Sequence, residues 1–157
     1  MIAVTLWQPW ATAIAVGAKH IETRGWQTGH RGPLAIHAAK RRIKGELRDF
    51  DMDPEWSAAL GILGHLEDEL PFGAIVAICY LFDCLRTEWV APEVLDTLHR
   101  REGWSAGWTE RTMGDFTPGR YGWILNNITP LKKPLPYKGM QGFFNVPDQW
   151  LEKGFES

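Results

Sequence analysis

Two stretches near the start of this 157-residue chain carry the residue types that chemistry needs. The first is Trp7-Gln8-Pro9-Trp10, and the second is Gly17-x-Lys19-x-x-Glu22-x-Arg24. A lysine, a glutamate and an arginine this close together can do two things. They can bind a phosphate or a base edge. Alternatively, Glu22 can act as a general base while Lys19 and Arg24 stabilise developing negative charge. The competing reading is an ion cluster on a solvated strand, which contributes little energy. The setting weighs against it, because two tryptophans, a helix start and a tight turn share the same twenty residues.

Those residues need elements to hold them. Ile2–Leu6 is rich in β-branched residues and predicts a strand. Pro9 suits a first helical turn, Trp10–Val16 continues it, and Gly17 sits where a left-handed C-terminal glycine belongs. That helix start would hold Gln8 and the amides of residues 9–11 at a positive dipole end. His20–Arg24 predicts a second strand, in which Ile21 and Thr23 share one face and His20, Glu22 and Arg24 the other. The apolar Ile21 marks its own face as the core side, so Glu22 and Arg24 are expected to project toward solvent or a cleft, with Lys19 beside them. Thr28–Gly32 has turn chemistry, and Pro33–Ala38 predicts a third strand.

Further along, Lys40–Phe50 predicts a basic helix, and Asp53-Pro54 predicts the start of a helix through about Leu63. Ala74–Phe82 is an apolar run that predicts a strand buried on both faces. Pro92–Arg101 reads as a short helix, and Arg101–Gly119, with four glycines, Trp104 and Trp108, as a long surface loop. Arg120–Leu125 and Phe143–Val146 read as final strands and Pro147–Lys153 as a terminal helical turn. Short strands with helices between them predict one small mixed α+β barrel spanning residues 1–157.

Composition narrows the function classes. Nine tryptophans, at 7, 10, 26, 56, 89, 104, 108, 123 and 150, exceed what one core usually accommodates. Trp7, Trp10 and Trp26 are candidates for base stacking, and Trp56, Trp123 and Trp150 for packing. The net charge of −2 conceals an asymmetry: residues 19–48 carry +6, residues 49–96 carry −10 and residues 97–157 carry +2. The basic block is a candidate nucleic-acid surface. On a helix, Lys40, Lys44 and Arg48 share one face, flanked by Arg41 and Arg42, and such a row can track phosphates. Cys79 and Cys84, five apart in a strand, are expected to face opposite ways as reduced, buried thiols. The five histidines show no zinc spacing with the cysteines, so no metal and no cofactor is expected. The opening segment lacks the basic start of a signal peptide and is too short and polar to cross a membrane, which takes about 20 apolar residues. A cytoplasmic protein is expected.

Residues Thr5–Lys40 resemble the opening of the ASCH (activating signal cointegrator homology) family. The resemblance rests on Leu6-Trp7-Gln8-Pro9-Trp10-Ala11, on Gly17-Ala18-Lys19-His20-Ile21-Glu22-Thr23-Arg24, on Trp26, and on Arg31-Gly32-Pro33-Leu34-Ala35-Ile36-His37-Ala38. Gly73–Val76, Tyr121–Leu125 and Gly142–Val146 extend it more weakly. Insertions are expected around 40–70 and 87–118. The resemblance implies a PUA-like fold, a small β-barrel with flanking helices and a cleft lined by the Gly-x-Lys-x-x-Glu-x-Arg signature. It also implies binding of RNA or of a single modified base. Some small members resemble hydrolases that remove an acyl group from a modified cytidine with a Lys, a Thr and a Glu. Lys19 matches the first of these, and Glu22 stands where the Thr would be. Other members have been suggested to cleave RNA.

The leading expectation is a binding domain for RNA, single-stranded nucleic acid or a modified nucleoside. Its ligand would meet Trp7, Gln8, Trp10, Lys19, Glu22, Arg24, Trp26, Arg31 and His37, and its phosphates Lys40, Arg41, Lys44 and Arg48. Gln141, in a glycine-flanked turn, could add a base-edge hydrogen bond. The alternative is a small nucleoside amidohydrolase or ribonuclease with Glu22 as base and Lys19 as charge stabiliser. A third class is a protein adaptor built on the acidic 49–96 block and the 104–108 tryptophan loop.

Overall fold

The computed structural model describes residues 1–41, 70–100 and 107–156. Its centre is one six-stranded sheet. In chain order the elements are β1 (Ile2–Leu6), α1 (Trp10–Ala15), β2 (Ile21–Arg24), β3 (Gly32–Ala38), β4 (Ala74–Arg86), α2 (Pro92–Leu95), β5 (His99–Arg100), β6 (Gly107–Trp108), β7 (Tyr121–Pro136), β8 (Phe143–Asn145) and α3 (Asp148–Glu152). The sheet runs β2-β7-β4-β3-β1-β8, while β5 and β6 form a separate two-stranded hairpin. The β1–β3 pair is parallel and the other pairs in the large sheet are antiparallel.

The α+β class expected from the sequence holds, but the described strands do not close into a barrel. β2 and β8 are the two edges of an open sheet. Side chains span the gap instead. Trp26, just beyond β2, packs edge-on against Phe143 of β8 with centroids 5.4 Å apart. Arg24 Nη2 donates to Thr5 O at 2.7 Å, joining β2 to β1. The curl that brings these edges together follows from bulges. β4 slips register three times against β7 and β3 slips once against β4, and each bulge sharpens the local twist.

The same bulges correct two expectations. Cys79 and Cys84 do not face opposite ways, because the slip between Leu81 and Asp83 resets the alternation and returns both thiols to one core cluster. Both are buried and unpaired, and burial pushes the Cys79 thiol up to about 12. The Ala74–Phe82 run is buried on both faces only as far as Ala77; Tyr80 and Phe82 are exposed.

The main core lies between α1 and the inner face of the curled sheet, around Leu6, Ile14, Leu34, Ile36, Leu81, Trp123 and Leu125. Trp123 is fully buried, and loss of such a side chain typically costs about 3–5 kcal/mol. A second cluster, Ala35, Ile75, Leu131, Phe144 and Leu151, packs α3 against the other face.

Two of the expected helices, Lys40–Phe50 beyond Arg41 and Asp53–Leu63, lie outside the described residues. The stretch expected as a long surface loop is more structured than that. It supplies β6 and a 3₁₀ turn at Glu110–Met113 whose Glu110 and Met113 are buried, while the helix expected over Pro92–Arg101 ends at Leu95 and gives way to β5, the partner of β6. A polar, glycine-rich segment gave no hydrophobic period to signal this. Among the described residues no helix is long and apolar enough to cross a membrane.

Candidate functional site

The helix that precedes the signature turns inward on itself. Gln8 is buried. Its Oε1 accepts from Thr12 N at 3.0 Å and its Nε2 donates to Pro71 O at 2.7 Å. Ala11 N donates to Trp7 O. Of the amides expected to face a ligand, that of Ala11 is thus used within the fold and Pro9 has no N–H to offer, and Gln8 does not line the cleft. Gly17 then adopts φ +77°, a conformation that a side chain would strain. This turn lets Ala18 N and Lys19 N both donate to Ala13 O, and it delivers Lys19 to the start of β2.

Lys19 is 1% exposed. Its ammonium donates to Ile21 O at 2.5 Å and Met113 O at 2.6 Å, and lies 3.8 Å from Glu22 Oε2. Burial pulls its pKa below the usual lysine range, with Glu22 and Glu110 opposing that shift. Glu22 Oε1 lies 3.1 Å from Arg24 Nε. That Nε–H is not aligned for a hydrogen bond, so the contact is one of charge. The arginine fork reaches on to Thr5 O and lies over the Trp123 ring, 5.8 Å from its centroid.

The face assignment for β2 changes accordingly. Glu22 pairs across the ladder with Trp123, and directly opposed residues share a face. Glu22 and Arg24 therefore sit on the inner face, at the rim of the main core. Ile21 packs on the outer side with Val90 and Leu95. Both faces of this strand are covered, which alternation alone cannot reveal.

Above the rim opens a cleft of about 640 Å³. Trp7, Trp10, Lys19, Glu22, Arg24 and Trp26 line it from the N-terminal side, and Thr112–Asp115 with Arg120 line it from the other. Six of the residues singled out by sequence are thereby brought together. Trp7 is 42% exposed and Trp26 is 38% exposed. Trp26 is braced edge-on by Trp123 at 4.7 Å, so its orientation is fixed before any ligand arrives. Three cations and two carboxylates surround the space, with Arg120 and Asp115 paired at 3.3 Å.

A residue that the sequence did not flag holds the far wall. Glu110 is 2% exposed. It accepts His20 N at 2.7 Å and Ile21 N at 3.2 Å, satisfying backbone donors on the open edge of β2. It begins a 3₁₀ turn whose N-terminus is closed by Thr109 and Thr112. The usual sequence signal for such a cap has Glu or Gln, not Thr, at the fourth position, so no pattern announced it.

A second cleft, of about 970 Å³, lies on the other side of Trp7 and Arg24, which line both. It contains His37, Lys40, Arg41, Lys138, Met140 and Gln141. His37 is buried, 3.2 Å from Thr5 Oγ1 by Nδ1 and 2.9 Å from Tyr137 O by Nε2. Burial lowers its pKa. Gly139 is required beside it, since a Cβ there would come within 2.4 Å of the imidazole. Arg41 lies 5.9 Å over the Trp7 ring. Arg31 belongs to neither cleft; it bonds Thr28 O and His30 O and pairs with Asp83 at 3.1 Å. Lys44 and Arg48 lie outside the described residues.

The ASCH domain family matches residues 4–114. The chain belongs to the ASCH domain family. This ASCH chain is 29% identical over 82 residues to activating signal cointegrator 1 of Mus musculus, which covers 52% of the chain and 14% of that protein. The Homo sapiens cointegrator is 33% identical over 79 residues, covering 50% of the chain and 13% of that protein. The match therefore touches only a small part of either cointegrator. A crystal structure of an ASCH variant from Zymomonas mobilis superposes with TM-score 0.52 at 15% identity, covering 97% of this chain and 94% of that one. A second variant of that protein gives 0.51 at 15% identity, covering 97% and 92%. At such identities the likeness concerns the fold alone.

Proposed function

We propose that this ASCH domain binds RNA or a modified nucleotide in the cleft beside β2. One observation carries the reading: two part-exposed tryptophans, Trp7 and Trp26, flank a cluster of buried Lys19 with half-buried Glu22 and Arg24 in a cleft of about 640 Å³. Tryptophan faces stack on bases of any sequence, each worth about 1–3 kcal/mol. Glu22 accepts from a base amino group, and Arg24 and Arg120 balance phosphate or carbonyl charge. The second cleft supports a longer ligand, because it shares Trp7 and Arg24 and adds Lys40, Arg41 and Lys138. A strand leaving the first cleft meets cations there.

The hydrolase reading keeps one observation in its favour: a lysine of lowered pKa lies beside a carboxylate in a cleft, as active sites often arrange. One experiment tests both readings. Labelled single-stranded RNA is titrated against the wild type and Trp7→Ala, and scored for cleavage; acylated nucleosides are scored for release. Stacking predicts about 5- to 150-fold weaker binding for Trp7→Ala. Equal affinity in the two would count against the cleft. Turnover that disappears in Glu22→Gln would favour the hydrolase.

A further inference from the structure

Outside both clefts, three donor atoms converge. One ligand atom each from His20, His99 and Glu110 lies within 4.8 Å of the other two. Glu110 Oε1 is 3.2 Å from His20 Nδ1 and 4.0 Å from His99 Nε2. The two imidazole rings are 5.5 Å apart. Two imidazole nitrogens and one carboxylate oxygen suit zinc or a similar divalent transition ion. Ligands about 2.1 Å from a tetrahedral zinc stand about 3.4 Å from one another. The observed separations bracket that value, and only His99 has to draw in.

We propose that His20, His99 and Glu110 form a divalent transition-metal site, zinc being the best match, with a fourth position open to water. The carboxylate is already aimed. Its two oxygens accept His20 N and Ile21 N, and each oxygen keeps a lone pair beyond those bonds. Such outer hydrogen bonds are what orient metal ligands elsewhere. Both imidazoles are part-exposed while Glu110 is buried, so an ion can arrive from solvent and meet a preset carboxylate.

The elements that the ion would join explain its use. β5 and β6 are two residues each, and an isolated hairpin is marginal in water. An ion held by His99 of β5, His20 beside β2 and Glu110 of the 3₁₀ turn would pin that hairpin to the open edge of the large sheet. It would also steady Met113, whose carbonyl receives the Lys19 ammonium. None of the three residues lines either cleft, so the ion braces the cleft wall and takes no part in its chemistry. The spacing 20, 99 and 110 matches no local zinc pattern, because one ligand lies just before β2 and two come from a segment far along the chain.

The test titrates Co²⁺ into the untagged full chain. The site predicts one equivalent bound, with the visible absorption of four-coordinate cobalt, displaced by Zn²⁺. His20→Ala and His99→Ala should each weaken binding at least about tenfold, whereas His30→Ala should bind as the wild type does. Melting without metal, equal in His99→Ala and wild type, separates lost ligation from lost folding. Absence of cobalt binding in the wild type, or binding that survives in either His20→Ala or His99→Ala, overturns the site.

Discussion

Removing the Lys19 ammonium would leave Ile21 O and Met113 O without donors where water does not reach. Unsatisfied buried groups cost about 1–3 kcal/mol, so Lys19→Met is expected to melt several degrees below wild type, read by calorimetry. An unchanged melting temperature would mean that those two bonds contribute little. Any loss of ligand binding in that variant has to be read against this destabilisation. Trp7, part-exposed at the mouth of the cleft, separates the two effects better. Trp7, Lys19, Glu22, Arg24 and Trp26 were legible as a group in the sequence because one helix, one turn and one strand connect them. Asp115 and Arg120 were not, since they reach the same place through tertiary folding of an irregular segment, and neither was Glu110, which braces β2 from outside the cleft.

At the level of elements, the strands were legible from β-branched content and turn residues, and α1 from its proline start and glycine end. The curl of the sheet was not. It depends on bulges in β3 and β4, and no local residue pattern marks where a ladder slips. That is why Cys79 and Cys84 share a cluster. The bulge between Ile36 and His37 also sets His37 into the wall of the second cleft. Burial holds its pKa below the ordinary imidazole value of about 6.5, so below about pH 6.5 the unfolded chain takes up a proton that the folded chain resists. The His37 contribution to stability is full above that pH and falls as pH drops toward the lowered folded value. Denaturant melts between neutral pH and pH 5 should show this loss in the wild type and a shallower one in His37→Gln. Parallel slopes in the two proteins would place the pH dependence elsewhere.

For the whole molecule, charge location matters more than its sum of −2. The first cleft combines a basic cluster with aromatic walls, and the second continues it with Lys40, Arg41 and Lys138. The tryptophan excess divides in the same way: Trp123 is core, Trp7 and Trp26 line the first cleft, and Trp89 is exposed and lines neither cleft. The ASCH fold thus acts as a frame that brings two sheet edges together and leaves a charged, aromatic opening where they meet. The claim that this opening is where a nucleotide binds is tested most directly by NMR. The chain, labelled with ¹⁵N, is titrated with single-stranded RNA while the indole N–H signals are followed, each assigned by substitution. The account predicts that the Trp7 and Trp26 signals shift with saturation while that of the buried Trp123 moves far less. Shifts confined to indoles outside the cleft, with Trp7 and Trp26 unmoved at saturation, would contradict it.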